Sequence, residues 1–126
     1  MQIVAGHAFH AAGDWDGAPA RRFLAEHGET LAFELVAHKR ADFAAKRVAP
    51  EELAGLAGLG EALSRERSSP HRLRDLAVNG RDLIAAGIPE SPELGRILRV
   101  LLAEVVADPE QNDRARLVAR ARRELP

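Results

Sequence analysis

Apolar residues in this chain recur at intervals of three and four and almost never alternate. Leu94, Ile97, Leu98, Leu101 and Val105 form the clearest run. That spacing gathers side chains on one face of a helix and scatters them over both faces of a strand. β-branched alternation never lasts beyond a few residues, so the predicted fold class is all-α. The chain has 126 residues, 46% of them hydrophobic and 29% charged. It is long enough to bury a core and too apolar to stay disordered. A small multi-helix bundle is expected, with a compact C-terminal helical hairpin subdomain.

Proline and glycine divide the helical pattern. Ala18 to about His27 reads as one helix, with Pro19 in its first turn and Gly28 as its stop. Thr30 is placed to cap a second helix running to about Val48, which Pro50 would end. A third, weaker helix over 51–67 contains Gly55, Gly58 and Gly60, each costing up to about 1 kcal/mol against Ala, or else placed to allow close helix contact. Residues 1–12 read as a helix end or as a segment cut from something longer. Ser68-Ser69-Pro70 is the internal boundary. Asn79-Gly80 reads as a turn before a short helix from Arg81 to Ala86. Ser91 is an N-cap candidate for a helix from Pro92 to Ala107. Asp108-Pro109 breaks that helix, and a last one spans about 112–124.

Several function classes drop out. Without cysteine there is no disulfide framework, zinc ribbon or thiol nucleophile. No apolar run nears the ~18 residues of a membrane span, and residues 1–12 lack a basic leader. A cytoplasmic location without a membrane partner is therefore expected. Eighteen Lys and Arg against 19 Asp and Glu give a net charge of -1, so nucleic acid gains no general attraction. Aromatic residues are only 4%, which disfavours stacking on single-stranded bases. The cationic signal is local. Arg114, Arg116, Arg120, Arg122 and Arg123 follow one another with no acid between them. Arg116, Arg120 and Arg123 fall on one helix face, suited to backbone phosphates. A solvated face near the negative end of the helix dipole is the plain alternative.

Other constellations carry less. Asp14-Trp15-Asp16 has the form of a two-metal carboxylate pair, but no strand or Gly-rich loop precedes it. A polar loop with Trp15 folded onto the core explains it. His7 and His10, and likewise His38 and Asp42, have spacings that share a helix face, yet none matches a zinc pattern. His27 and His71 have no partner in sequence. From Gly87 to Gly95 two prolines fix the entry to a helix, and Gly95 strips a side chain from its first turn. Free N–H groups after Ser91 suit a phosphate, while Glu90 and Glu93 oppose one. A rigid helix–helix corner is the alternative there.

Leu76-Ala77-Val78-Asn79-Gly80-Arg81-Asp82-Leu83-Ile84, followed by Gly87-Ile88-Pro89, Pro92-Glu93, Gly95 and Leu98, resembles a known pattern. It is similar to the C-terminal region of bacterial tRNA nucleotidyltransferases (CCA-adding enzymes) and their poly(A) polymerase relatives. Ser91 stands where that family usually has Gly. The stretch from Leu101-Leu102 to Asp108-Pro109-Glu110 and Asn112 is similar to the family's end. Asp16 through Arg21-Arg22-Phe23-Leu24, then Leu35 to Arg40-Ala41-Asp42, resembles the back of the HD-type helical domain that precedes that tail. The resemblance implies a partial HD-like segment over 1–67 and the family's helical subdomain over 68–126. It makes Asp42 the metal candidate, although the family's earlier His and His-Asp ligands have no match. The catalytic head, with its Gly-Ser loop and magnesium-binding carboxylates, has no counterpart in these residues. Magnesium would belong to that head, and no cofactor is expected here.

Three readings follow. The first is a tRNA-binding helical module, with Arg81, Ser91, Arg96, Arg116, Arg120 and Arg123 as the RNA-contacting candidates. The second is a non-catalytic scaffold that meets the head or a second copy and no longer binds RNA. The third is a residual HD-type phosphohydrolase using Asp42 with His7 or His10, which lacks the central His-Asp. On the first two readings no nucleotide is added to tRNA by these residues supplied with CTP, ATP and magnesium. Incorporation abolished by Asp14→Ala would place chemistry in the Asp14–Asp16 loop.

Overall fold

The structure is a computed structural model and describes residues 9–126. His7 and most of the expected helix end at 1–12 lie outside the described residues, and residues 9–12 are not helical. Among the described residues there are six α-helices and two 3-10 turns, and no strand. The chain divides into two compact units, Met1–Ser68 and Ser69–Pro126.

In the first unit α1 (Ala18–His27), α2 (Glu29–Ala44) and α3 (Pro50–Glu66) each pack on the other two. Leu24, Leu35, Leu59 and Leu63 are fully buried between them. Phe9, Trp15 and Phe23 meet edge to face beside this core, with Phe9 and Phe23 centroids 5.1 Å apart. Trp15 Nε1 donates to the Ala11 carbonyl at 2.8 Å. Arg21, nearly buried on α1, donates to Glu66 Oε1 on α3 at 2.8 Å.

Two boundaries differ from the sequence reading. α2 begins at Glu29, preceded by Gly28 at φ 80°, so Thr30 is inside the helix and caps nothing. Gly28 ends α1 and starts α2, a reversal its positive φ permits. α2 also stops at Ala44, and Pro50 opens α3. A proline suits a first helical position because its missing N–H has no intrahelical partner there. The glycines of α3 do not break it. A Cβ on Gly55 would lie 2.0 Å from the Ala11 carbonyl oxygen, so the glycine lets residues 11–12 cross the helix in direct contact.

In the second unit α5 (Pro92–Ala107) is the centre. α4 (Gly80–Ala85), α6 (Arg114–Arg123) and the 3-10 turns Leu73–Asp75 and Pro109–Gln111 all pack against it. Ile97, Leu101 and Val105 are 0% exposed, and Leu83, Leu117 and Ala121 close over them. Asn79 and Gly80 do not form a free turn. Asn79 caps α4: its Oδ1 accepts from Asp82 N at 2.9 Å, while Asp82 Oδ2 accepts from Asn79 N at 2.8 Å. Asp113 caps α6 by accepting from Arg116 N at 3.0 Å, so that helix starts two residues later than 112. Asn112 joins the two ends of the unit, accepting from Ala77 N at 2.7 Å and donating to the Asp75 carbonyl at 2.9 Å.

The turn before α4 is held by polar groups. Asp75 Oδ2 accepts from the N–H groups of His71 and Arg72, and both carboxylate oxygens accept from the Arg72 guanidinium. Burial alone would raise the Asp75 carboxyl, but Arg72 and the two N–H groups outweigh it and hold it down at about 2. His71 is 1% exposed, with Nδ1 2.8 Å from the Ser69 carbonyl. A carbonyl only accepts, so Nδ1 carries a proton, and the buried Nε2 has no partner among the described residues.

Two stability predictions follow from this packing. Gly55→Ala should cost about 2 kcal/mol, because a methyl there displaces backbone. Gly58→Ala, which meets nothing within 4 Å, should gain about 0.5–1 kcal/mol. Urea titrations of the two variants check the opposite signs. The Asp75 carboxyl is depressed in the folded chain, so its contribution is complete above the unfolded value near 3.8 and vanishes as pH falls through about 2. Asp75→Asn should cost about 2 kcal/mol at neutral pH. The gap to the parent should close between pH 4 and 2; an unchanged gap would disprove the linkage.

Candidate nucleic-acid interface

α6 sorts its five arginines by helical phase. Leu117 and Ala121 face α5, so Arg116, Arg120 and Arg123 project from one flank and Arg114 and Arg122 from the other. The second flank is used internally. Arg114 Nη1 is 3.2 Å from Asp82 Oδ1, and Arg122 Nη2 donates to the Ala86 carbonyl at 2.9 Å. Both contacts complete α4: one reaches its N-terminal acid, the other its last carbonyls. The Asn79 N–H, aided by Arg114, lowers the Asp82 carboxyl pKa.

The first flank opens onto a groove of about 660 Å³. Arg116, Arg120, Arg123, Glu104, Gln111, Leu117 and Ala119 line it. The structure thus brings Arg116, Arg120 and Arg123 together. Arg116 is exposed, and its guanidinium meets only the Glu110 carbonyl, at 3.3 Å. Arg123 is exposed and has no ion pair or side-chain hydrogen bond among the described residues. Arg120 differs: Nε donates to Glu104 at 2.6 Å and Nη1 to Glu124 at 2.5 Å.

Arg96 belongs to the same polar network. It donates to Glu93 at 2.5 Å and to Glu124 at 2.8 Å, with a further bond to the Glu124 carbonyl at 3.2 Å. Glu124 raises the pKa of both arginines, helped by Glu93 for Arg96 and by Glu104 for Arg120. In return Arg120 and then Arg96 lower the Glu124 carboxyl. Glu104 and Glu124 are the residues the sequence reading missed. The Arg120–Glu124 spacing of four was visible on the helix, whereas Arg96 and Glu124 are 28 positions apart and meet only through the fold.

The remaining candidates lie elsewhere. Arg81 is exposed on α4, unpaired among the described residues and not part of the groove. Ser91 occupies the N-cap position of α5, but its side chain makes no cap bond; its carbonyl accepts from Leu94 N at 3.0 Å. Gly95 is not forced by packing, since a Cβ there would meet only Arg99 Nη1 at 3.6 Å. Asp42 pairs with Lys46 at 3.0 Å. Among the described residues no three His, Cys, Asp or Glu side chains gather as a metal site. The Asp14–Asp16 segment is a polar loop in which Asp14 Oδ1 accepts from Asp16 N at 3.0 Å and Asp16 pairs with Arg65. No helix among the described residues is long and apolar enough to cross a membrane.

No curated protein and no solved structure matches the chain. Residues 64–121, just under half of the chain, match the family model for tRNA nucleotidyltransferase domain 2. That segment holds α4, α5 and the greater part of α6, and it begins in the last turn of α3. What the chain shares with that family, the family of the CCA-adding enzymes, is this segment over residues 64–121.

Proposed function

We propose that the carboxyl-terminal unit holds tRNA for an enzyme of the CCA-adding kind, while a separate catalytic head with its magnesium adds nucleotides. The observation that carries this reading is the pairing of two exposed arginines free of acids, Arg116 and Arg123, in one groove with Arg120. Residues 69–126 hold ten arginines against nine acids, so any grip on a polyanion is local. Guanidiniums facing phosphates fix position and carry no sequence information. Selection of tRNA on this reading comes from shape and from the head. The first unit is read as the partial HD-like segment that precedes this tail.

One observation favours the scaffold reading instead. Arg96, Arg114 and Arg120 each meet a carboxylate, which takes them out of the free cationic surface. On that reading the unit supports the head or a second copy and leaves RNA alone.

Binding of a tRNA transcript separates the two. Affinity should be about micromolar or weaker, and log K should fall with log[salt] with a slope of about -2 to -3. Arg116→Gln with Arg123→Gln should flatten that slope by about 1.5 and weaken binding to all RNAs alike. Both side chains are exposed, so stability should change by less than about 0.5 kcal/mol per site. Absence of salt-sensitive binding by the parent chain would select the scaffold.

A further inference from the structure

Glu124 stands where a bound oxyanion would stand. Its Oε1 accepts from Arg96 Nη1 at 2.8 Å and its Oε2 from Arg120 Nη1 at 2.5 Å. The two guanidiniums come from different helices, α5 and α6, and converge on one pair of anionic oxygens. A phosphodiester presents the same pair with the same charge, and guanidinium forks bind carboxylate and phosphate by the same geometry. Glu93 and Glu104 hold the far sides of the two arginines, so their orientation does not depend on Glu124 alone. Arg120 also lines the groove that contains Arg116 and Arg123.

We propose that Arg96 and Arg120 form a second phosphate-accepting position beside that groove, occupied in the free chain by the Glu124 carboxylate, which an RNA phosphate displaces. This rests on the RNA-holding reading above. While Glu124 stays in place the pair is neutralised and adds nothing to the salt dependence. Once it leaves, two charge-assisted contacts to phosphate replace two to carboxylate. The exchange is nearly balanced, so Glu124 sets affinity by competing for the site.

The test compares the full chain with Glu124→Gln. Titrated with a tRNA transcript over a range of salt, the variant should bind several-fold tighter. Its slope should be steeper by about 0.7–1.8, the worth of one or two phosphates. Glu34→Gln makes the same change in net charge at an exposed site on α2 that has no ion pair or side-chain hydrogen bond among the described residues, and its slope should match the parent's. If Glu124→Gln loses its helical circular-dichroism signal, Glu104→Gln frees one side of Arg120 and should move the slope the same way by less. Inorganic phosphate supplies an independent arm. It should shift the Nε–H resonances of Arg96 and Arg120 in Glu124→Gln and leave them in place in the parent. Equal slopes for folded Glu124→Gln and Glu34→Gln, or unmoved resonances, would overturn the site. Phosphate shifts without salt-sensitive tRNA binding by any form would instead sink the RNA reading.

Discussion

Burial of one stripe on α5 is what the carboxyl-terminal unit depends on. α4 has six residues and α6 has ten, both too short to hold a helix alone in water. They are helical because Leu83, Leu117 and Ala121 find Ile97, Leu101 and Val105 waiting on a sixteen-residue neighbour. Every polar feature of the unit inherits its position from that contact. With Leu117 and Ala121 turned inward, the helix repeat leaves Arg116, Arg120 and Arg123 only one place to go. The capping bonds of Asn79 and Asp113 then fix where each short helix begins, and Asn112 ties the loop before α4 to the start of α6.

The division of the α6 arginines explains why the overall charge says so little. Two of the five serve α4 by holding an acid and a terminal carbonyl. A third is shared between two carboxylates. Arg116 and Arg123 keep their charge clear of acids among the described residues and face the same groove, whereas Arg122, held by a carbonyl, lies on the other flank. A polyanion senses that arrangement at a range set by the Debye length, about 8–10 Å at moderate salt. At that distance Glu104, which lines the groove, weighs most against its cations.

Much of this was legible in the residues. The α5 stripe, the Pro19 and Pro92 helix starts and the Gly28 stop were plain from spacing and from backbone chemistry. The common phase of Arg116, Arg120 and Arg123 was also visible, because i, i+4 and i+7 are neighbours on any helix. Pro50 was misplaced because proline both stops one helix and opens the next, and only the length of the reversing segment decides which. Thr30 looked like a cap by type, but Gly28 already made the reversal with a positive φ. The close approach at Gly55 depended on where residues 11–12 cross, which spacing within the helix does not encode. The Arg96–Glu124 contact was hidden for the same reason.

Acids that restrain arginines reduce free positive charge, and a surface meant for phosphate should avoid them on electrostatic grounds alone. Orientation supplies the counter-argument. A free guanidinium on a long side chain loses rotamer freedom when it binds, at a cost of about 0.5–1.5 kcal/mol. Arg120, already fixed by Glu104 and Glu124, has met most of that cost during folding. Arg116 and Arg123 have not, and on the RNA-holding reading the long-range attraction would come from them. On the RNA-holding reading, a groove with two cations clear of acids and one restrained cation would divide the work. The acid-free pair would draw the backbone in, and Arg120 would set its register once the competing carboxylate gives way.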